Sequence, residues 1–385
     1  MPSFSAQANA WQQQAIHIVS QLRPAPVRPS NQVPLTDAEF AVCQAHIAEF
    51  QRILADRAGR VTPDRAWLLM PDSSWSWHNR NYGYMEAILL GDRRRLNFLR
   101  FYTRFTGFSL YYMDYHRGRE TPVDLPADLD AALADRLAVP DAWVHRFVVM
   151  MRAHPPEIVV PPPPRFGEIG WSVRGITVNH DTCVYQERIG LLFQSGILAW
   201  LSRRVSKGRR PVIVEIGSGF GALAFRLLKL FPEVDYLCVD IPESLLFANL
   251  YLGLALPERP HRVVAASEVV THDTLHGVTY LPNYLAFDAL RDVRADLTIN
   301  TLSFSELTEA QVDAYAALAS AMIGDDGLLF EQNQDNRSVG MIECKTTLAK
   351  RFPHRLDLAV ADPIGVTEGD ATLWGNRPVT EILRT

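Results

Sequence analysis

The segment Val212 to Ala222 reads VIVEIGSGFGA, and it leaves the surrounding chain few ways to fold. Val212-Ile213-Val214-Glu215-Ile216 is β-branched and almost continuously apolar, the pattern of a short strand buried on both faces. Gly217, Gly219 and Gly221 then let the backbone turn sharply and let another group approach the main chain closely. From Ala222 to Leu230 the pattern is helical. A strand, a glycine loop and a helix in that order belong to a βα unit, whose helix must cover a sheet. The same alternation returns downstream. Val234–Val239 (VDYLCV), Ala295–Asn300 (ADLTIN) and Gly327–Glu331 (GLLFE) are short apolar runs. Pro242–Leu254 and Thr308–Met322 are helical stretches, the latter opened by the capping-box pair Thr308 and Gln311. The C-terminal half is therefore expected to be an α/β domain with a doubly wound, mainly parallel sheet.

The glycine spacing is G-x-G-x-G. A dinucleotide-binding loop places its third glycine one position later, where this chain has Ala222, so the glycines alone leave a nicotinamide dinucleotide open. Two acids narrow the reading. Asp240 ends the second strand and is followed by Ile241; an acid there can accept both hydroxyls of an adenosine ribose. Glu215 stands two residues before the first glycine, where it would repel a pyrophosphate but suit a ligand with an ammonium and a sulfonium. E-x-G-x-G-x-G with Asp240 resembles the class I S-adenosylmethionine-dependent methyltransferases. The resemblance implies a Rossmann-like seven-stranded sheet with its last strand antiparallel. It implies S-adenosylmethionine as cofactor, held by Glu215, Gly217, Ser218, Gly219 and Gly221 around its amino-acid part. Asp240 and Ile241 would lie at its ribose, and Asn300, after the fourth strand, near its methyl group.

Further strings resemble the sugar O-methyltransferases of bacterial glycan and natural-product pathways. Asn300-Thr301-Leu302-Ser303-Phe304-Ser305-Glu306-Leu307 matches an N-x-x-S-F-x-E-M string, with Leu307 in place of Met. Asn179-His180-Asp181-Thr182 and Tyr280-Leu281-Pro282 also match, and the likeness spans about residues 165–385. It implies a small-molecule acceptor, a sugar or a sugar-bearing compound. The alternatives are a natural-product or peptide acceptor methylated on nitrogen or oxygen, and a non-catalytic binding subunit. A sugar hydroxyl is a poor nucleophile, so a base should remove its proton. His180 is the first candidate, with Asp181 to orient it; the competing role for Asp181 is a helix cap. Glu306 is the second, competing with a role as a first-turn acid, and Glu331 is a third. No adjacent carboxylate pair follows the fourth strand, so no metal is expected.

The 385 residues exceed one such domain. A boundary is expected at the prolines 161–164, giving a mainly helical domain 1–165 and a cofactor-binding domain 166–385. Thr36 and Glu39 form a capping box for a helix ending near Gly59. A second helical run spans about Tyr84–Phe105, and a third begins near Asp141 and reaches Met151. The aromatic stretch Trp75–Tyr115 is read as core, homodimer contact or acceptor wall. The net charge, 38 − 43 = −5, offers no basic excess for nucleic acid. Cys43, Cys183, Cys238 and Cys344 lie far apart, which signals neither zinc nor disulfides. With no apolar run near 20 residues and no leader pattern, a cytoplasmic protein without a membrane span is expected.

Overall fold

The computed structural model describes residues 4–70, 88–103, 125–265, 268–358 and 370–385. They fall into two compact units, and the division does not run at residue 165. One unit takes residues up to Ala45, then 88–103 and 125–190. The other takes residues from His46 to 70, 191–265, 268–358 and 370–385. The helices Asp37–Arg60 and His180–Gln194 each contribute to both.

The first unit is mainly helical. Helix Phe4–Leu22 packs on helix Ala142–Met150, whose N-terminus Asp141 caps by accepting from the amides of Trp143 and Val144. The Thr36–Glu39 capping box forms at the start of helix Asp37–Arg60. The run expected over Tyr84–Phe105 is not one helix where it is described. Arg93–Asn97 is α-helical and Leu99–Tyr102 is a 3-10 turn. Of the Trp75–Tyr115 aromatics, Phe98, Phe101 and Tyr102 are described, and Phe101 and Tyr102 are core residues. The others lie outside the described residues. Three short strands, β1 (Ala25–Val27), β2 (Gly170–Val173) and β3 (Ile176–Val178), form an antiparallel sheet. Arg174 and Gly175, both at positive φ, make the two-residue turn between β2 and β3. β3 runs straight into Asn179 and the helix starting at His180.

The second unit is built on the expected sheet. Its strands are β4 (Val212–Ile216), β5 (Asp235–Asp240), β6 (His261–Val263), β7 (Val278–Pro282), β8 (Leu297–Thr301), β9 (Leu328–Gln332), β10 (His354–Asp357) and β11 (Ala371–Gly375). Their order is β10-β11-β9-β8-β4-β5-β7-β6; β11 runs antiparallel to both its neighbours, β10 and β9, and every other pairing is parallel. Seven strands match the expected set, and β6 adds an eighth at the edge. Its sequence, HRV, is too short and polar to stand out as a strand. β4, β7, β8, β9 and β11 are buried at every position, because helices cover both faces of the sheet. After β4 the chain builds outward through β5 and β7, then returns to place β8 on the other side of β4. The strand order thus reverses between β4 and β8, and ligands of open α/β sheets bind at the carboxyl ends of strands at such a point.

Residues 46–70 join this unit through specific bonds. Arg57 grips Glu243 with two hydrogen bonds, of 2.8 and 2.5 Å. The Tyr284 hydroxyl donates to Asp56 Oδ2 at 2.9 Å. Asn283 donates to the Leu69 carbonyl and Gln311 to the Trp67 carbonyl. These partners sit in the first turns of the helices Pro242–Ala255, Asn283–Ala289 and Glu309–Ile323. The segment therefore runs along the carboxyl edge of the sheet. The four cysteines are free and buried. No described helix is long and apolar enough to cross a membrane.

Candidate functional site

The carboxyl ends of β4, β5 and β8 meet at the reversal point, in register through Ile216 with Val239 and Asn300. Gly217, Gly219 and Gly221 all take positive φ, at +79°, +55° and +84°. Each glycine answers a different constraint. A Cβ on Gly217 would sit 2.1 Å from Ser303 Oγ, and one on Gly221 would sit 2.8 Å from Leu252 Cδ1. A Cβ on Gly219 would meet no atom within 4 Å. The tight contacts at Gly217 and Gly221 press the loop onto the fold, while Gly219 faces open space. Open backbone beside a helix N-terminus is where a ligand can approach the main chain.

Asp240 governs this loop. Its Oδ2 accepts the Gly219 amide and its Oδ1 accepts the Ile241 amide, both at 2.7 Å. Each carboxylate oxygen keeps a second lone pair, so the residue can still accept hydrogen bonds from a ligand. Burial pushes its pKa up to about 7, against the two amides, and the nearby carboxylates of Glu306 and Glu243 push the same way. Ile241 is partly exposed and leads into helix Pro242–Ala255. Glu306 closes a 3-10 turn after β8 and shares this acidic rim with Asp240.

Three of the expected cofactor residues serve the loop from beneath. Glu215 is 1% exposed and accepts from the Tyr236 hydroxyl at 2.7 Å. Ser218 turns its hydroxyl into the core beside Cys238. Asn300 is fully buried, and both amide hydrogens are used, on the Ile216 carbonyl at 2.8 Å and Ser303 Oγ at 2.5 Å. Its Oδ1 accepts from the Phe304 amide and from Asn333. Asn300 is thus a clasp between β4 and the turn after β8, and its side chain has no donor left for a ligand. Asn333 extends the clasp to Glu331, a fully buried carboxyl whose pKa burial raises to about 7. Asn283 and Tyr315 also line this edge. They contact one another, and the Asp240 charge helps raise the Tyr315 pKa, behind the larger effect of burial. Asn283 could have been found in the sequence, since it directly follows β7.

The remaining expected residues lie in the first unit. Helix His180–Gln194 is capped by Asn179, whose Oδ1 accepts the Thr182 amide at 2.9 Å. Asp181 is therefore not the cap. Its Oδ1 lies 3.1 Å from His180 Nδ1, and its Oδ2 accepts from Arg100 at 2.6 Å. The Trp143 ring meets the imidazole edge-on at 4.3 Å. The sequence reading missed Arg100, because it is 81 positions away and carries no motif.

No family model matches the sequence, and no curated protein matches it. Solved structures align with about half of the chain. An O-methyltransferase family protein from Burkholderia thailandensis is 11% identical, over 52% of this chain and 61% of its own, with a TM-score of 0.33. The S-adenosylmethionine-dependent methyltransferase SibL is 13% identical over 52% of this chain and 59% of its own, at 0.32. Human N-acetylserotonin methyltransferase, solved with S-adenosylmethionine, is 15% identical over 51% and 58%, at 0.29. The chain spans about three fifths of the length of each.

Proposed function

We propose that this protein is an S-adenosylmethionine-dependent O-methyltransferase whose acceptor is a small molecule, a sugar or a sugar-bearing compound. The observation that carries the reading is the pairing of Asp240 with the open Gly219 at the strand reversal, inside an E-x-G-x-G-x-G loop. The residues present fit this cofactor. Asp240 offers lone pairs to two ribose hydroxyls, and the Gly217–Gly221 backbone admits the amino-acid part where no Cβ intrudes. Ile241 lies beside the ribose position. Glu215, Ser218 and Asn300 hold the loop in shape from below.

The bound cofactor supplies an electrophilic methyl carbon, whose bonding electrons stay on sulfur when an acceptor oxygen takes it. The chain's own contribution is alignment and removal of the acceptor's proton. His180 is the proposed base: with its hydrogen on Nδ1 and donated to Asp181, Nε2 would carry the lone pair that takes the proton. Glu306 is the base candidate on the cofactor-binding unit. The sugar acceptor rests on the strings Asn179–Thr182 and Asn300–Leu307. We further propose a cytoplasmic location and a homodimer.

Calorimetric titration with S-adenosylmethionine tests the cofactor. Saturable binding is expected, and no binding at millimolar ligand would end the enzyme reading. Mass spectrometry of sugar extracts incubated with protein and cofactor should find a product heavier by one CH₂. His180→Gln should lower kcat about a hundredfold or more while leaving cofactor affinity unchanged. Retention of that loss by Glu306→Gln instead would move the base to Glu306.

A further inference from the structure

A closed circuit of buried side chains begins and ends at the N-terminus of helix His180–Gln194. Asn179 caps the helix and donates its amide to Glu168 Oε1 at 2.5 Å. Glu168 Oε2 accepts from Arg100 Nε at 2.8 Å. Arg100 Nη2 donates to Asp181 Oδ2 at 2.6 Å, and Nη1 donates to Thr103 Oγ1 at 2.7 Å. Asp181 Oδ1 then meets His180 Nδ1. Arg100, Glu168 and Asp181 are 1%, 2% and 3% exposed, whereas the His180 ring is partly open.

Burying two carboxylates and a guanidinium is costly, and helix capping alone does not require it. Asn179 caps this helix with its own side chain. What the circuit achieves is orientation. A planar guanidinium with fixed donors sets the plane of each carboxylate it grips, which a flexible ammonium cannot do. A carboxylate held in this way dictates which ring nitrogen of a neighbouring histidine carries the hydrogen.

We infer that Arg100 and Glu168 are positioning residues for the His180–Asp181 pair, fixing the imidazole with its hydrogen on Nδ1 and its lone pair on Nε2. The inference rests on the proposed role of His180 as base. Among the described residues, the charged groups tied to the ring include Asp181, with Arg100 and Glu168 behind it, and Asp141 at the start of helix Ala142–Met150, which itself interacts with His145 and Arg136. Asp141 turns its Oδ1 to the two amides it caps, whereas Asp181 Oδ1 stands 3.1 Å from Nδ1 and is the acceptor placed for its hydrogen.

The test is nitrogen–proton correlation NMR on full-length protein with ¹⁵N-labelled histidine, His180 being assigned by its loss in His180→Gln. Wild type should show a single tautomer with the hydrogen on Nδ1. Arg100→Lys keeps the charge but loses the fork, and should give a mixture of tautomers. Thr103→Val, a near-isosteric change that removes one anchor of Arg100, should shift the populations in the same direction while the fold persists. With an acceptor in hand, both variants should lower kcat, Arg100→Lys by about tenfold to a hundredfold, with the KM for cofactor unchanged. A wild-type hydrogen on Nε2 would overturn the inference, and so would an unaltered tautomer in every variant that folds. A locked Nδ1 hydrogen together with full turnover in His180→Gln would instead overturn the base assignment and leave the circuit standing.

Discussion

Replacing Asp240 with asparagine separates this site from a merely structural turn. The carboxylate now accepts two amides, from Gly219 and Ile241, and has lone pairs to spare for a ribose. Asparagine keeps one acceptor oxygen and sets an NH₂ against the other amide. At least one charge-assisted bond to a ligand is lost, about 1.5–3 kcal/mol, so affinity for S-adenosylmethionine at pH 8 should fall roughly tenfold to a hundredfold. The raised pKa adds a second signature. With a pKa of about 7 in the free protein, the carboxylate is mostly ionised at pH 8 and mostly protonated at pH 6. Where only the ionised form binds, the apparent Kd is multiplied by 1 plus the ratio of protonated to ionised carboxyl. That factor grows about tenfold from pH 8 to pH 6. Calorimetric titrations of wild type at pH 8, 7 and 6 should therefore show affinity declining with acid, and Asp240→Asn should show a flat, weak profile. Wild-type affinity in the variant at pH 8 would refute the ribose role. A flat wild-type profile would refute the link between Asp240 ionisation and binding.

The glycines should divide by role. Gly217→Ala should cost about 2 kcal/mol or more in urea unfolding, because it combines a left-handed backbone with a 2.1 Å approach to Ser303 Oγ. Gly219→Ala carries only the backbone cost, about 1–2 kcal/mol, and should be seen chiefly as lost cofactor binding by calorimetry. Glu331 makes stability depend on pH. Its folded pKa, about 7, exceeds the unfolded value, so the folded state holds the proton more tightly. Its contribution is full below about pH 4.5 and is lost as pH rises through 7, by at most about 3 kcal/mol. Urea melts at pH 5.5 and 8 should show the decline, and Glu331→Gln should reduce it. Arg57→Ala strands the buried Glu243 carboxylate and should destabilise the second unit by about 3 kcal/mol. A fragment 166–385 lacks residues 46–70 and should give no cooperative thermal transition by circular dichroism; a sharp transition would show that segment to be dispensable.

How much could be read in advance depends on the distance over which each feature is decided. The strands β4, β5, β8 and β9 and the helix from Ala222 to Leu230 were legible, because burial on both faces writes itself as a continuous apolar run. The Thr36–Glu39 and Thr308–Gln311 capping boxes were legible for a similar reason, since partners three residues apart meet within one turn. β6 and β10 were not. They are edge strands with little apolar surface, and a neighbouring strand decides their pairing.

The sequence alone determined the chemistry on offer: a glycine loop beside acids at the ends of two strands, and a histidine next to an aspartate. Tertiary structure decided how each residue is used. Asn300 became a clasp because its amide faces the Ile216 carbonyl, Ser303 and Asn333, contacts that no local pattern announces. Asn179 took the capping role that Asp181 could have filled, and Arg100 claimed the freed carboxylate from 81 positions away. Residues 46–70 were assigned to the sheet by four side chains, not by the prolines that follow far downstream. Local backbone preferences act over a few residues and leave a mark in the sequence. The geometry of a guanidinium fork or a buried amide depends on groups that only the folded chain brings together.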